Sequence, residues 1–304
     1  MFQKAAFYPL TAILFWAGNV VVSKMASGVI SPVAITFYRL VLALVVMSTF
    51  VLIPLLKNRE MIKPYWKHLA LGGFLSVSLF QWLSYQAAAT TSATNMAIVT
   101  CLIPLLTMFL SSIMLKDQAS YGMLFGGLLS LFGIVYLLSQ GQPSQLLQGG
   151  VHVGDGLMLI AAIGFALYGV LLKRWKMPIP AWQANYVQSV FALIYVLPFF
   201  LFLPASQMQL NQQTIPMIVY ASIFSSVLLS YLWMEGVRHL GPNKNSMYMN
   251  LLPIFTALIA VVMLGEELHT FHCVGGGLTL LGILLAQNLQ KPIRFNWRQD
   301  PSLD

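Results

Sequence analysis

Residues 114–134, MLKDQASYGMLFGGLLSLFGI, return at 263–283 as MLGEELHTFHCVGGGLTLLGI, 149 positions later and without a gap. Met114, Leu115, Gly126, Gly127, Leu129, Leu131, Gly133 and Ile134 stand on Met263, Leu264, Gly275, Gly276, Leu278, Leu280, Gly282 and Ile283. The same offset sets Ala17, Val21 and Lys24 on Ala166, Val170 and Lys173, and Leu102, Pro104 and Thr107 on Leu251, Pro253 and Thr256. Leu and Gly abound in apolar segments, so one match carries little. An unbroken register that sets Pro on Pro and three Gly on Gly carries more. The chain reads as two related halves, 1–145 and 150–290, followed by a tail over 291–304.

Both copies are too apolar for water. Of 304 residues, 58% are hydrophobic and 8% charged, with a mean hydropathy of +0.78; soluble chains carry about 25% charged residues. That excludes a soluble enzyme, a nucleic-acid-binding domain and a disordered protein. About 20 apolar residues cross the ~30 Å hydrocarbon layer. Apolar stretches of that size run over 7–26, 32–54, 67–89, 93–115 and 120–138, then 154–173, 181–203, 215–237, 245–264 and 270–289. The first, after Lys4, has the look of a secretory leader, but no small-x-small cleavage site precedes Lys24, so it is expected to stay as a span. Cys101 and Cys273 lie inside apolar runs, where a thiol is packing material rather than half of a disulfide.

With the N-terminus inside, fourteen of the sixteen Lys and Arg fall in inner segments and none in outer loops. This is the positive-inside bias, and adding or removing one span would destroy it. The formal charge of +8 thus belongs to topology rather than to a nucleic-acid partner. The expectation is an all-α integral membrane protein with ten transmembrane helices and both termini cytoplasmic. Five spans per half is an odd number, so the halves enter the membrane with opposite orientation. Inverted repeats of that kind place a substrate near the midplane where they meet.

The residues resemble the EamA family of the drug/metabolite transporter superfamily over essentially the whole chain. Trp16-Ala17-Gly18-Asn19 with Lys24, Pro32 and Arg39 carry the likeness in the first half, with Pro104. Gly154-Asp155, Pro253, Gly265-Glu266, Gly275 to Gly277 and Gly282 carry it in the second. The first half departs from the pattern, with Lys116-Asp117 where a Gly-Glu pair is usual. The resemblance implies an alternating-access carrier in a bacterial inner membrane that exports small metabolites and is not an enzyme.

Ionisable side chains inside a bilayer are costly and functional by default; Lys24, Arg39 and Glu235 qualify. Lys24 and Lys173, near span ends, read as snorkelling anchors. Arg39 is open to two uses, pairing with carbonyls at the outer gate or binding an anionic substrate group. Its counterpart is Gln188, so the charge is not a requirement of the fold. Glu235, whose counterpart is Gln86, reads either as a proton-coupling carboxylate or as a partner for Arg238 or Lys244.

Helical spacing groups Trp16, Asn19 and Ser23 on one face of span one, and Ser78, Trp82, Tyr85 and Gln86 on one of span three. Phe165 and Tyr168 share a face of span six, Val227, Tyr231, Met234 and Glu235 one of span eight, and Asn245, Tyr248 and Leu252 one of span nine. The expected substrate pathway is therefore Trp16, Asn19, Arg39, Ser78, Trp82, Tyr85, Gln86, Tyr168, Tyr231, Glu235, Asn245 and Tyr248. Aromatic walls with a few amides suit amino-acid-like, aromatic or amphipathic solutes, whereas a metal ion would call for clustered carboxylates or histidines. No metal or cofactor is expected, and His269 and His272 alone make a weak metal pair. Glu266 and Glu267 read as an outer-loop cap.

Pro104 and Pro253 are expected to kink spans four and nine symmetrically as gates. Gly122 to Gly126 and Gly275 to Gly277 mark spans five and ten for close helix approach, within the chain or to a second copy. A channel is the runner-up. A membrane enzyme follows it, without an HExxH, a GxGD pair or an Asp-rich diphosphate motif to support it.

Overall fold

The computed structural model describes residues 5–293 apart from 27, 89–98, 117, 119, 140, 143, 145–152, 209, 265–269 and 290. Among them the regular elements are helical, with one antiparallel bridge between Ser120 and Pro292. In lipid every backbone N–H and C=O must find its partner within the segment, and apolar runs of this length do so only as helices. They are α1 (Phe7–Ala26), α2 (Pro32–Lys57), α3 (Trp66–Gly73), α4 (Phe80–Ala88), α5 (Ile103–Met114) and α6 (Tyr121–Leu138). Then follow α7 (Val153–Trp175), α8 (Ala181–Leu201), α9 (Thr214–Tyr220), α10 (Ser230–Leu240), α11 (Pro242–Met247), α12 (Leu252–Leu264) and α13 (Thr270–Asn288).

Pro32–Lys57, Gly156–Trp175, Ala181–Leu201 and Thr214–Leu240 are long and apolar enough to cross a membrane. Shorter apolar helices run over Phe7–Ser23, Ile103–Met114, Tyr121–Gly133 and Cys273–Ala286. Large apolar side chains face outward along them, among them Phe50, Ile53, Phe109, Phe125, Phe132 and Leu284. So much exposed hydrocarbon would drive aggregation in water, and it suits contact with lipid.

Two helices carry wide turns. The Phe74–Leu79 segment joins α3 to α4, and Ala221–Leu229 joins α9 to α10, both wound as π-helix. The first, moved by 149 positions, falls inside the second. Such turns are uncommon and frequently sit at functional sites.

The prolines differ from the expected mid-span kinks. Pro104 stands in the first turn of α5, after a tight turn in which the Leu102 N–H donates to the Val99 carbonyl at 3.0 Å. Pro253 is the second residue of α12, after the 3-10 segment Tyr248–Leu251. Each opens a helix where its missing N–H leaves nothing unsatisfied, so each marks a break between two pieces rather than a bend within one.

Helix α2 packs on α8, α7 on α4 and α5, and α1 on α12 and the second wide turn. The glycine faces of α6 and α13 pack on each other within one chain. A Cβ on Gly126 would strike the Gly282 carbonyl, and one on Gly133 would stand 2.7 Å from the Gly275 carbonyl. At these positions the face is covered by the chain itself.

Candidate functional site

The two wide turns, α1, α2, α4, α7, α8 and α10 enclose a cavity of about 40 Å³. Seven pairs among its lining residues differ by 149 in number. They are Trp16 and Phe165, Arg39 and Gln188, Leu40 and Ser189, Ser76 and Ser225, Val77 and Ser226, Phe80 and Leu229, and Gln81 and Ser230. Tyr168, Asn185 and Trp233 complete the wall. Solute sites usually measure ~300–1,000 Å³, so this conformation has room for water but not for an organic solute.

One wall is aromatic. Trp16 meets Phe165, Phe80 and Trp233 edge-on, with ring centroids at 5.0, 5.6 and 5.9 Å. Phe165 tilts against Phe80 and Trp233 at 5.2 Å each. These residues come from four helices and lock one another's rotamers, so the wall is preformed.

The opposite wall is polar. Arg39 is 2% exposed; its Nε donates to Ser226 Oγ and its Nη2 to Ser225 Oγ, each at 2.8 Å. Nη1 is buried without a partner. Among the described residues no carboxylate lies within ion-pair reach of the guanidinium. Asn185 Nδ2 donates to the carbonyls of Ser226 at 3.2 Å and Val227 at 3.3 Å, bracing the wide turn that presents the two serines. Gln188 Oε1 accepts from the Tyr168 hydroxyl at 3.1 Å, leaving its buried Nε2 without a partner, as is Trp233 Nε1.

Of the residues read from sequence as a pathway, Trp16, Arg39 and Tyr168 line this cavity. Asn19 is buried beside it with its carbonyl oxygen unpartnered. Ser78 turns away and donates to the Ala192 carbonyl at 3.4 Å. Tyr85 is not among the lining residues, but its hydroxyl, which accepts from Ser23 at 3.5 Å, also faces the Arg39 guanidinium. Trp82 is 41% exposed and packs on Phe199, and Gln86 is exposed. Tyr231 stacks on Trp182 with centroids at 4.0 Å. Asn245 is buried against Gly236, and Tyr248 is buried in the segment before α12. The Lys24 side chain and residues 265–269, which hold Glu266, Glu267 and His269, lie outside the described residues, as does the His272 side chain.

Glu235 is not in the cavity. Its Oε1 accepts from Arg238 Nη1 at 3.0 Å and its Oε2 lies 3.5 Å from His239 Nε2. Arg238 also donates to the Ile179 carbonyl, and His239 stacks on Tyr8. Beside this cluster a second cavity, of about 440 Å³, is lined by Lys173, Lys176, Arg238 and His239 among others.

Ser76, Ser225 and Ser226 of the two wide turns, with Phe80, Gln81, Asn185 and Trp233, were not singled out by spacing. The 149-residue offset applied to Trp16 and Arg39 would have pointed to Phe165 and Gln188.

The model of the EamA-like transporter family matches residues 3–139 and 152–287. The uncharacterized transporter YyaM of Bacillus subtilis (strain 168) is 26% identical over 293 residues, which cover 95% of each chain. An uncharacterized transporter of Archaeoglobus fulgidus is 29% identical over 280 residues, 90% of this chain and 93% of that one. A solved crystal structure superposes with a TM-score of 0.73 over 95% of this chain and 98% of its own, at 19% identity, a likeness of fold.

Proposed function

The chain belongs to the EamA-like transporter family, and from that premise we propose that it carries small aromatic or amphipathic solutes by alternating access, as an exporter. It is a multi-pass integral membrane transporter and not an enzyme. The proposal takes it as ten spans in two inverted halves, 1–145 and 150–290, with both termini and the 291–304 tail cytoplasmic, in a bacterial inner membrane.

The observation that carries this reading is the cavity. Seven of its residue pairs are related by the repeat offset, as expected of a site where two inverted halves meet. Its buried donors without partners have no role in packing, because an unsatisfied buried polar group costs about 1–3 kcal/mol. The present volume supports a state closed around no solute, so binding would require the helices to part. The wide turns at Phe74–Leu79 and Ala221–Leu229, and the breaks before Pro104 and Pro253, are the places where helices built this way yield most easily. Trp16, Phe165 and Trp233 would hold the apolar body of the solute, and Arg39 with Gln188 its polar end. Proton coupling through Glu235 has the weaker support, since its oxygens already face Arg238 and His239.

The test is counterflow in liposomes reconstituted with the purified protein. Vesicles preloaded with a pool of amino acids, nucleosides and aromatic solutes, with and without a pH gradient, should accelerate uptake of a labelled trace of the transported one. Saturable exchange separates a carrier from a channel, which gives no stimulation. If no solute exchanges and activity appears only on lipid or peptide substrates, the carrier reading fails.

A further inference from the structure

We infer that the central cavity recognises organic monoanions, a flat apolar body bearing one carboxylate or similar group, in preference to zwitterions and cations. The inference deepens the carrier reading and rests on it for the transport step, but the binding site it describes can be tested alone.

The first ground is charge. A guanidinium cannot be deprotonated in a protein, so Arg39 holds a positive charge in the cavity at every working pH. A buried charge without a counter-ion is unfavourable. The two serine hydroxyls on Nε and Nη2 supply dipoles but no charge, and among the described residues no carboxylate comes within ion-pair reach. A ligand that brings its own negative charge supplies what the site lacks.

The second ground is the donor inventory. Three buried nitrogens among the lining residues have hydrogens and no acceptor, Arg39 Nη1, Gln188 Nε2 and Trp233 Nε1, against one unpartnered acceptor beside the cavity, the Asn19 carbonyl oxygen. In the observed arrangement the Tyr168 hydroxyl occupies Gln188 Oε1, so Nε2 is the amide group left to offer. A wall of unsatisfied donors is complementary to a group made only of acceptors, which a carboxylate is and an ammonium is not. An ammonium would meet a like charge at short range in low dielectric, which the neutral oxygens of Gln81 and the lining serines do not offset.

The third ground is the approach. The second cavity is lined by Lys173, Lys176, Arg238 and His239. Lys173 lies five residues beyond Tyr168 on α7, and Arg238 five beyond Trp233 on α10. Both separations are roughly 7.5 Å along a helix rising ~1.5 Å per residue. Basic groups one to two turns along these helices from a donor-lined cavity raise the local concentration of anions on that side.

The experiment compares four solutes of nearly equal shape, phenylacetate, phenylacetamide, phenylalanine and phenethylamine, against the full-length protein in nanodiscs at neutral pH. Tryptophan fluorescence, to which Trp16 and Trp233 contribute, reports binding. Phenylacetate should bind at least about tenfold more tightly than phenylacetamide, the size of effect a charge-assisted hydrogen bond gives. Arg39→Gln should bring that ratio close to one while phenylacetamide binding persists, and Arg39→Lys should keep part of it. Equal binding of the four, tighter binding of phenylalanine or phenethylamine, or no binding of any would overturn the inference. If Arg39→Gln does not fold, the ratio in the unaltered protein decides. The same solutes in liposome counterflow separate the two readings. Selective binding of phenylacetate without exchange of any solute keeps the anion site and sinks the carrier. Exchange driven by phenylalanine and not by phenylacetate keeps the carrier and sinks the anion site.

Discussion

Two regions join residues that stand 149 positions apart, and they treat that relation in opposite ways. Along α6 and α13 like meets like. Gly126 against Gly282 and Gly133 against Gly275 are one contact made twice, and Ser130 donates to the carbonyl of its own counterpart Thr279 at 3.3 Å. Around the cavity six of the seven counterpart pairs differ, with Trp16 opposite Phe165 at 5.0 Å and Arg39 matched to Gln188, and only Ser76 and Ser225 alike. Asn185 braces a wide turn, while its counterpart Thr36 hydrogen-bonds the Pro32 carbonyl on its own helix. A packing seam needs only close backbone approach, which either copy can supply. A site for a solute with one polar end must offer unlike groups on its two sides. The repeated glycines therefore mark scaffold, and the divergence of Arg39 from Gln188 marks recognition.

The harshest way to test the scaffold half of that contrast is Gly126→Leu. A Cβ there would strike the Gly282 carbonyl and stand 2.7 Å from the Ala286 backbone nitrogen. Overpacking costs about 1–3 kcal/mol where side chains can adjust, and here the obstacle is backbone on both counts. The variant should give little or no monodisperse protein on size-exclusion chromatography. Gly277→Leu, on the same helix as Gly282 but with nothing within 4 Å of its added Cβ, should purify normally. A well-folded Gly126→Leu protein would break the scaffold reading.

A smaller effect is expected where the two halves differ. Asn185→Thr makes this position match Thr36 and removes the donor to the Ser226 and Val227 carbonyls. Losing a buried bond of this kind costs about 1–3 kcal/mol. The melting temperature should fall while the fold persists, and solute binding should weaken more than stability alone explains, because Ser226 holds Arg39. Binding that tracks stability one for one would reduce Asn185 to packing.

The same contrast explains what could be read before the structure. The repeat register, the glycine face of α6 and the apolar spans were all plain in the chain, since packing repeats itself. Trp16, Arg39 and Tyr168 stood out because aromatic and charged groups deep in a span have few bland explanations. In span three the cavity is lined by Ser76, Phe80 and Gln81 rather than by the expected Ser78, Trp82 and Gln86. The serines carried almost no signal, because Ser48 and Ser84 show what most serines in such helices do, donating to the carbonyl four residues back. Only partners far along the chain distinguish Ser225 and Ser226.

Glu235→Gln offers the smallest effect and the sharpest question about where recognition ends. The substitution makes the position match its counterpart Gln86, so it removes one more difference between the halves, away from the cavity. Its side chain is 15% exposed, and Arg238 is 34% exposed, a setting in which ion pairs contribute about 0–1 kcal/mol. A Gln side chain keeps an oxygen for Arg238, which also holds the Ile179 carbonyl. Stability should therefore change by no more than about 1 kcal/mol, and any dependence of uptake on a pH gradient should survive. A variant that still exchanges solute but has lost its response to the gradient would make Glu235 the coupling carboxylate. The divergence that matters for transport would then reach beyond the cavity to the end of α10, where Glu235, Arg238 and His239 form one cluster.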